Sequence, residues 1–222
     1  MAESVKVVVD AMGGDYAPVE PVKGAVQAVK ERQDIQVILT GDKTAIEKEL
    51  GKYQDIPKDR IQIVHTSEVI ETAEPPVMAI RKKKDSSIVV GLNMVKKQEA
   101  DAFVSSGSTG AVLVGGQVLV GRSEGVERPP LAPLIPTKKG VSLLIDCGAN
   151  VDARPSHLVQ FAKMGAIYME HVVGVKNPRV AIVNNGAEEE KGNALVKETF
   201  PLLKACKSIN FIGSIEARDI PA

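Results

Sequence analysis

Residues Val5 to Leu39 read VKVVVDAMGGDYAPVEPVKGAVQAVKERQDIQVIL, and this stretch decides the fold class. Val5 to Val9 is a nearly continuous apolar run rich in valine, the composition of a strand buried on both faces. Val22, Ala25, Val26 and Val29 then recur at helical spacing across Val19 to Val29. Ile35 to Leu39 is a second apolar run. Strand, helix and strand in succession form the unit from which parallel sheets are built.

The alternation continues downstream. Ala45 to Leu50 lies in a helix, and Ile61 to Val64 is a third strand. Ala102 to Val104 and Ser142 to Ile145 are further strands, each followed by a glycine-containing turn. Leu158, Phe161, Ala162, Gly165, Ala166 and Met169 mark one face of a helix that begins at Pro155 and ends at Gly174. Val180 to Val183 and Ile209 to Ile212 complete the strands. The expectation is an α/β fold with a mostly parallel, doubly wound sheet and helices on both faces. No low-complexity linker divides the chain, so residues 1–222 read as a single α/β domain. The proline-rich stretch Arg128 to Pro136 reads as a bend or the start of an edge strand. Ala111 to Gly121, interrupted by Gln117, is too short to span a bilayer and reads as a buried helix.

Composition removes several function classes. Acidic and basic residues balance at 28 each, which gives no global attraction to nucleic acid or anionic lipid. Tryptophan is absent and aromatics are 3%, so stacking platforms for single strands are lacking. Cys147 and Cys206 have neither metal spacing nor partners for a disulfide framework, and Cys147, just after an apolar strand, reads as buried packing. The N-terminal stretch Met1 to Gly14 has no signal-peptide pattern, so a cytoplasmic location is expected. His65, His157 and His171 form no metal pair or catalytic triad, and no metal site is expected.

In an open parallel sheet, ligands bind at the carboxyl ends of the strands. Three such places carry suitable residues. Asp10-Ala11-Met12-Gly13-Gly14-Asp15 follows the first strand. Its glycines allow close approach of an anion, and Asp10 and Asp15 can orient a polar group; the plain alternative is a tight turn with a helix cap. Ser105-Ser106-Gly107-Ser108-Thr109-Gly110 sits between a strand and an apolar helix. Its four hydroxyls exceed what a cap needs and suit an anion cradle. Asp146-Cys147-Gly148-Ala149-Asn150-Val151-Asp152 lies at another strand end, where Asp146 and Asn150 either line a cleft or form a turn. Lys191, in the loop Asn184 to Asn193, is suited to clamp a phosphate, or it belongs to a solvated acidic loop. Arg81-Lys82-Lys83-Lys84 is the sharpest charge run, a solvated face or a dock for an acidic partner. Nucleotide signatures are absent. Gly110 and Gly115 have the P-loop glycine spacing, but Gln117 stands in the lysine-and-serine region, which has no basic residue, and no G-x-G-x-x-G follows the first strand.

Taken in order, several segments resemble the bacterial phosphate acyltransferases of phospholipid synthesis, the PlsX family. They are VVVDAMGGDYAP (Val7 to Pro18), AIRKKKDSS (Ala79 to Ser87), SSGSTGA (Ser105 to Ala111), DCGANVDARPSHLVQFAKMG (Asp146 to Gly165), NNGAEEEKGN (Asn184 to Asn193) and NFIGSIEARDI (Asn210 to Ile220). The family pattern has Asn where Ser108 stands. Family members also continue for roughly another third of their length, so the resemblance reads the chain as an N-terminal fragment of a longer enzyme. The resemblance implies a fold like phosphate acetyltransferases and isocitrate dehydrogenases. It also implies transfer of a long-chain acyl group from acyl carrier protein to inorganic phosphate, giving acyl phosphate. No cofactor is implied beyond the 4'-phosphopantetheine that the carrier brings. The further implied properties are a homodimer and peripheral membrane contact through the C-terminal part, with no nucleic-acid partner.

Placed on that chemistry, Asp10, Asp146 and Lys191 are the catalytic candidates. Gly13, Gly14, Ser105, Ser106, Ser108 and Thr109 are the phosphate-binding candidates, and Arg81 to Lys84 the carrier-docking candidates. The competing readings are a non-catalytic phospholigand-binding module and, disfavoured by the absent glycine fingerprint, a nicotinamide dehydrogenase.

Overall fold

A computed structural model describes residues 4–222, so Met1, Ala2 and Glu3 of the N-terminal stretch lie outside the described residues. Where the sequence reads as one domain over residues 1–222, chain contacts form two units. The first ends at Arg122 and the second runs Ser123–Ala222.

The first unit contains β1 (Val5–Asp10), α1 (Val19–Glu31), β2 (Ile35–Gly41), α2 (Lys43–Leu50), β3 (Ile61–His65), α3 (Pro76–Lys82), α4 (Ser87–Lys96), β4 (Ala102–Val104) and α5 (Thr109–Gly115). Its four strands are all parallel, in the order β3-β2-β1-β4. Side chains of a strand alternate between faces, and both faces are apolar here. Val37 and Leu39 of β2 pack with Val22, Ala25 and Val29 of α1 and Ile46 of α2. Ile38, between them, packs with Val8 and Ala100 on the opposite face, with Met94 and Val95 of α4 alongside. Ile88, Val89 and Leu92 of α4 join Ile80 and Ala111 in a third cluster. Full burial of a residue such as Leu39 or Ile46 contributes about 1.5–3 kcal/mol, which explains why these positions must be apolar.

Side-chain caps set where the helices start. Asp42 accepts from the Ala45 amide at 2.7 Å, Ser86 from Val89 at 3.4 Å, and Ser108 from Ala111 at 3.2 Å. Each satisfies an amide that the helix itself leaves without an acceptor.

The second unit contains β5 (Leu134–Thr137), β6 (Gly140–Leu143), α6 (Pro155–His171), β7 (Arg179–Asn184), α7 (Ala194–Ala205) and β8 (Asn210–Glu216). β7 and β8 pair in parallel. Ile182 packs with Ala162, Phe200 and Leu203 from the two helices, and Phe200 meets Phe211 edge-on at 5.2 Å between ring centres.

Three expectations change. The run Ser142 to Ile145 is not a strand of the parallel sheet. The strand there is β6, paired antiparallel with β5 through a two-residue turn that closes at Gly140, whose φ is +136°. Ala111 to Gly121 is only partly buried. Ala111 and Gly115 face the core, but Val118 is 65% exposed and Val120 40%, because a single helix face is packed. Cys147 is exposed rather than buried: its amide bonds to the Leu131 carbonyl at 2.8 Å in a loop that presents the thiol outward. Among the described residues, no helix is long and apolar enough to cross a membrane.

Candidate active site

Strand order locates the site. The chain builds β1, β2 and β3 outward in one direction, then returns to place β4 on the other side of β1. The carboxyl ends of β1 and β4 therefore flank the point where the winding reverses. Loops leaving a parallel sheet at such a point diverge to opposite faces and leave a crevice between them. The two loops are Asp10 to Asp15 and Ser105 to Thr109.

These loops interlock although they are far apart in sequence. Asp10, the last residue of β1, is 1% exposed. One carboxylate oxygen accepts from the Met12 amide at 3.1 Å. The other accepts from the Ser105 hydroxyl at 2.7 Å, across 95 residues of chain. Ser105 Oγ in turn accepts from the Gly107 amide at 3.0 Å, and Ser106 donates to the Gly13 carbonyl at 3.0 Å. A carboxylate that receives bonds from both loops is an anchor that fixes their relative position.

The glycines permit this closeness. A Cβ on Gly13 would lie 2.4 Å from the Asp10 carboxylate and 2.8 Å from the Gly107 amide nitrogen. Gly14 has φ +94°, which a side chain resists. Ser108 is spent on capping α5 and is 3% exposed. Thr109 is exposed at the first position of that helix. Among the described residues, the amides of Thr109 and Gly110 donate to no carbonyl of their own helix, since the helix bonds begin with Val112 to the Ser108 carbonyl. Of the four hydroxyls in the loop, those of Ser105, Ser106 and Ser108 are engaged in hydrogen bonds within and between the two loops, and the Thr109 side chain is exposed. Gly107 was not singled out from the sequence. Its amide completes the Asp10–Ser105 chain, and its place inside the serine run was the only signal.

Asp146 and Lys191 both lie in the second unit. Asp146 organises its loop by accepting from the Leu131 amide at 2.6 Å and the Asn150 amide at 2.7 Å. Lys191 is exposed. Its amide bonds to the Glu188 carbonyl and its carbonyl accepts from Asn184 Nδ2 at 3.2 Å. Among the described residues, these two candidates share no hydrogen-bond partner.

The second unit also holds an ionic network that the sequence did not reveal. His157, fully buried, accepts from the Arg154 amide at Nδ1 (3.1 Å), which leaves Nε2 to donate to Glu127 at 2.9 Å. Arg154 reaches the same Glu127 carboxylate at 3.3 Å. Arg128 forks onto Asp152, and that bond holds the Asp152 carboxyl below the usual carboxylate range. The three-residue spacing from Arg154 to His157 at a helix start was the available clue.

The basic run divides by environment. Arg81 and Lys82 are exposed on α3. Lys83 instead turns inward to the Val69 carbonyl and the Glu74 carboxylate. Lys84 donates to the Ile80 carbonyl at 3.2 Å. Glu74 is held below its ordinary range by the Lys83 bond and then by the Glu71 amide.

The sequence profile described as fatty acid synthesis protein matches residues 5–222. A phosphate acyltransferase of Alkaliphilus oremlandii is 54% identical over 98% of this chain and 64% of its own length. One of Clostridium novyi is 53% identical over 98% of this chain and 65% of its own. The chain thus spans just under two thirds of the length of these curated relatives. Among solved structures, the EutD phosphotransacetylase from Staphylococcus aureus superposes with a TM-score of 0.68 at 17% identity, over 96% of this chain and 69% of that one. At that identity the likeness concerns the fold.

Proposed function

Since this chain belongs to the fatty acid synthesis protein family, we propose that it forms the phosphate-holding part of an acyltransferase that moves a long-chain acyl group from acyl carrier protein to inorganic phosphate. The observation that carries this reading is the interlock of the Asp10–Gly14 and Ser105–Thr109 loops where the sheet winding reverses. Relatives named phosphate acyltransferase at 53–54% identity support it.

Inorganic phosphate is already an anionic nucleophile near neutral pH, so no serine–histidine pair is required. A phosphate oxygen attacks the thioester carbonyl carbon, and the carbonyl π electrons move onto oxygen. Collapse of that oxyanion breaks the C–S bond. The thiolate leaves and takes a proton from solvent, and the product is acyl phosphate. The protein's task is alignment, worth up to ~7–11 kcal/mol of the barrier when two reactants are held correctly, together with donors for the developing charge. In this reading the Thr109 hydroxyl and the amides of Thr109 and Gly110 hold phosphate. The buried Asp10–Ser105–Gly107 chain is positioning machinery that keeps the loop in shape before phosphate arrives.

The test incubates the protein with palmitoyl-acyl carrier protein, with and without phosphate, and traps acyl phosphate with hydroxylamine. Phosphate-dependent loss of thioester with trapped acyl hydroxamate is expected. Saturable phosphate binding without thioester consumption would instead establish a non-catalytic phospholigand module.

A further inference from the structure

Helix α3 carries two kinds of side chain on its outward side. Val77 and Met78 are 48% and 46% exposed, and Arg81 and Lys82 are exposed as well. Positions 77, 78, 81 and 82 fall on one helical stripe, since residues four apart share a face. The inward stripe is Ala79 and Ile80, both buried, with Lys83 tied to Glu74. The outward stripe is therefore apolar at its start and basic at its end, with its apolar part about half exposed.

Its start abuts the phosphate cradle. A Cβ on Gly110 would lie 2.6 Å from Pro76 Cγ, so the first residue of α3 packs directly on the first turn of α5. From there the stripe runs along the α3 axis for about 8 Å, at about 1.5 Å per residue. A substrate reaching the cradle along this stripe meets a basic rim first, then two apolar side chains, then the donors at Thr109 and Gly110. Half-exposed Val and Met beside a polar site leave apolar area that a hydrocarbon chain can cover, and methionine adapts to an irregular apolar partner.

The geometry points to Val77 and Met78 as the residues that grip the acyl chain of the carrier-bound substrate and set chain-length selectivity. Arg81 and Lys82 receive the acidic carrier that delivers it. This inference rests on the acyl-transfer reading above and names where that reading's apolar substrate lies. A basic rim steers an acidic partner and acts mainly on association, whereas apolar contact scales with the length of chain that it covers.

The experiment compares kcat/KM for palmitoyl- and butyryl-acyl carrier protein in the unaltered protein, Met78→Ser, Val77→Ser and the control Val172→Ser, an exposed apolar residue just past the end of α6. Both α3 variants should lower the palmitoyl-to-butyryl ratio about tenfold, with the phosphate KM and thermal midpoint close to the unaltered protein. Val172→Ser should leave rate and ratio unchanged. Arg81→Glu should raise the KM for both carriers at low salt and lose that effect at high salt. If the unaltered protein transfers no acyl group, the acyl-transfer reading falls and this inference with it. If it transfers and the α3 serine variants lower both chain lengths equally, or neither, this inference alone is overturned.

Discussion

Replacing Gly13 with alanine tests whether the two loops are built as one unit. The added methyl would sit 2.4 Å from Asp10 Oδ2, 2.8 Å from the Gly107 nitrogen and 2.9 Å from Ser105 Oγ. Two of these atoms belong to a buried hydrogen-bond chain and the third is backbone, so no flexible side-chain tip can yield. Overpacking of this kind costs about 1–3 kcal/mol. Separating the loops also weakens the Asp10–Ser105 bond, and a bond to a charged, buried group is worth about 1.5–3 kcal/mol. A net loss of about 2–4 kcal/mol is expected. For a chain of this size that lowers the melting temperature by about 4–16 °C, at about 2–4 °C per kcal/mol. Gly24 offers the matched control, since a Cβ there meets nothing within 4 Å on the exposed side of α1. Gly24→Ala should stabilise by about 0.5–1 kcal/mol, because glycine is a poor residue in a helix interior. Scanning calorimetry of both variants, paired with the acyl phosphate assay, provides the comparison. A Gly13→Ala protein that melts at or above the unaltered protein, with full activity, would refute the interlocked-loop account.

Thr109→Val keeps the shape of the exposed first-turn residue but removes its hydroxyl, so phosphate-dependent turnover should fall about tenfold to a hundredfold with little change in melting temperature, consistent with loss of a single donor to a charged group. Lys82→Glu and Lys83→Glu should separate cleanly. The first should raise the acyl-carrier KM at low salt without loss of stability, whereas the second strands Glu74 beside a like charge and should lower the melting temperature. The Glu74 carboxyl also predicts a pH dependence. Its folded-state pKa lies below the ordinary value of 4.5 through the Lys83 bond, so its stabilising contribution is complete above that value and is lost as pH falls below it. Melting curves taken from pH 6 downward should show a steeper acid loss for the unaltered protein than for Lys83→Met, and parallel curves would refute this role for the pair.

Much of the fold was legible in the residues because hydrophobic periodicity is local. The valine run of β1, the Val22–Ala25–Val26–Val29 stripe of α1 and the Pro155 start of α6 each report burial through neighbours a few positions away. The glycine and serine content of the two loops likewise marked them as strand-end turns. Those same cues could not tell that Ser142 and Leu143 belong to an antiparallel hairpin, since an apolar run does not state its partner's direction. Nor could they show that Ser105 donates to Asp10 across 95 residues, because that contact depends on β4 crossing back beside β1. Identical lysines in one run acquired different fates for the same reason: Lys83 turns inward to Glu74 and Lys82 outward to solvent, a choice made by helix phase and by what packs beneath. His157 looked inert until the fold enclosed it with Glu127 and Arg154. The sequence by itself determined which segments become strands, helices and turns, through short-range patterning. Only the tertiary structure decided which turns meet, because long-range hydrogen bonds and strand order arise when distant segments are packed together.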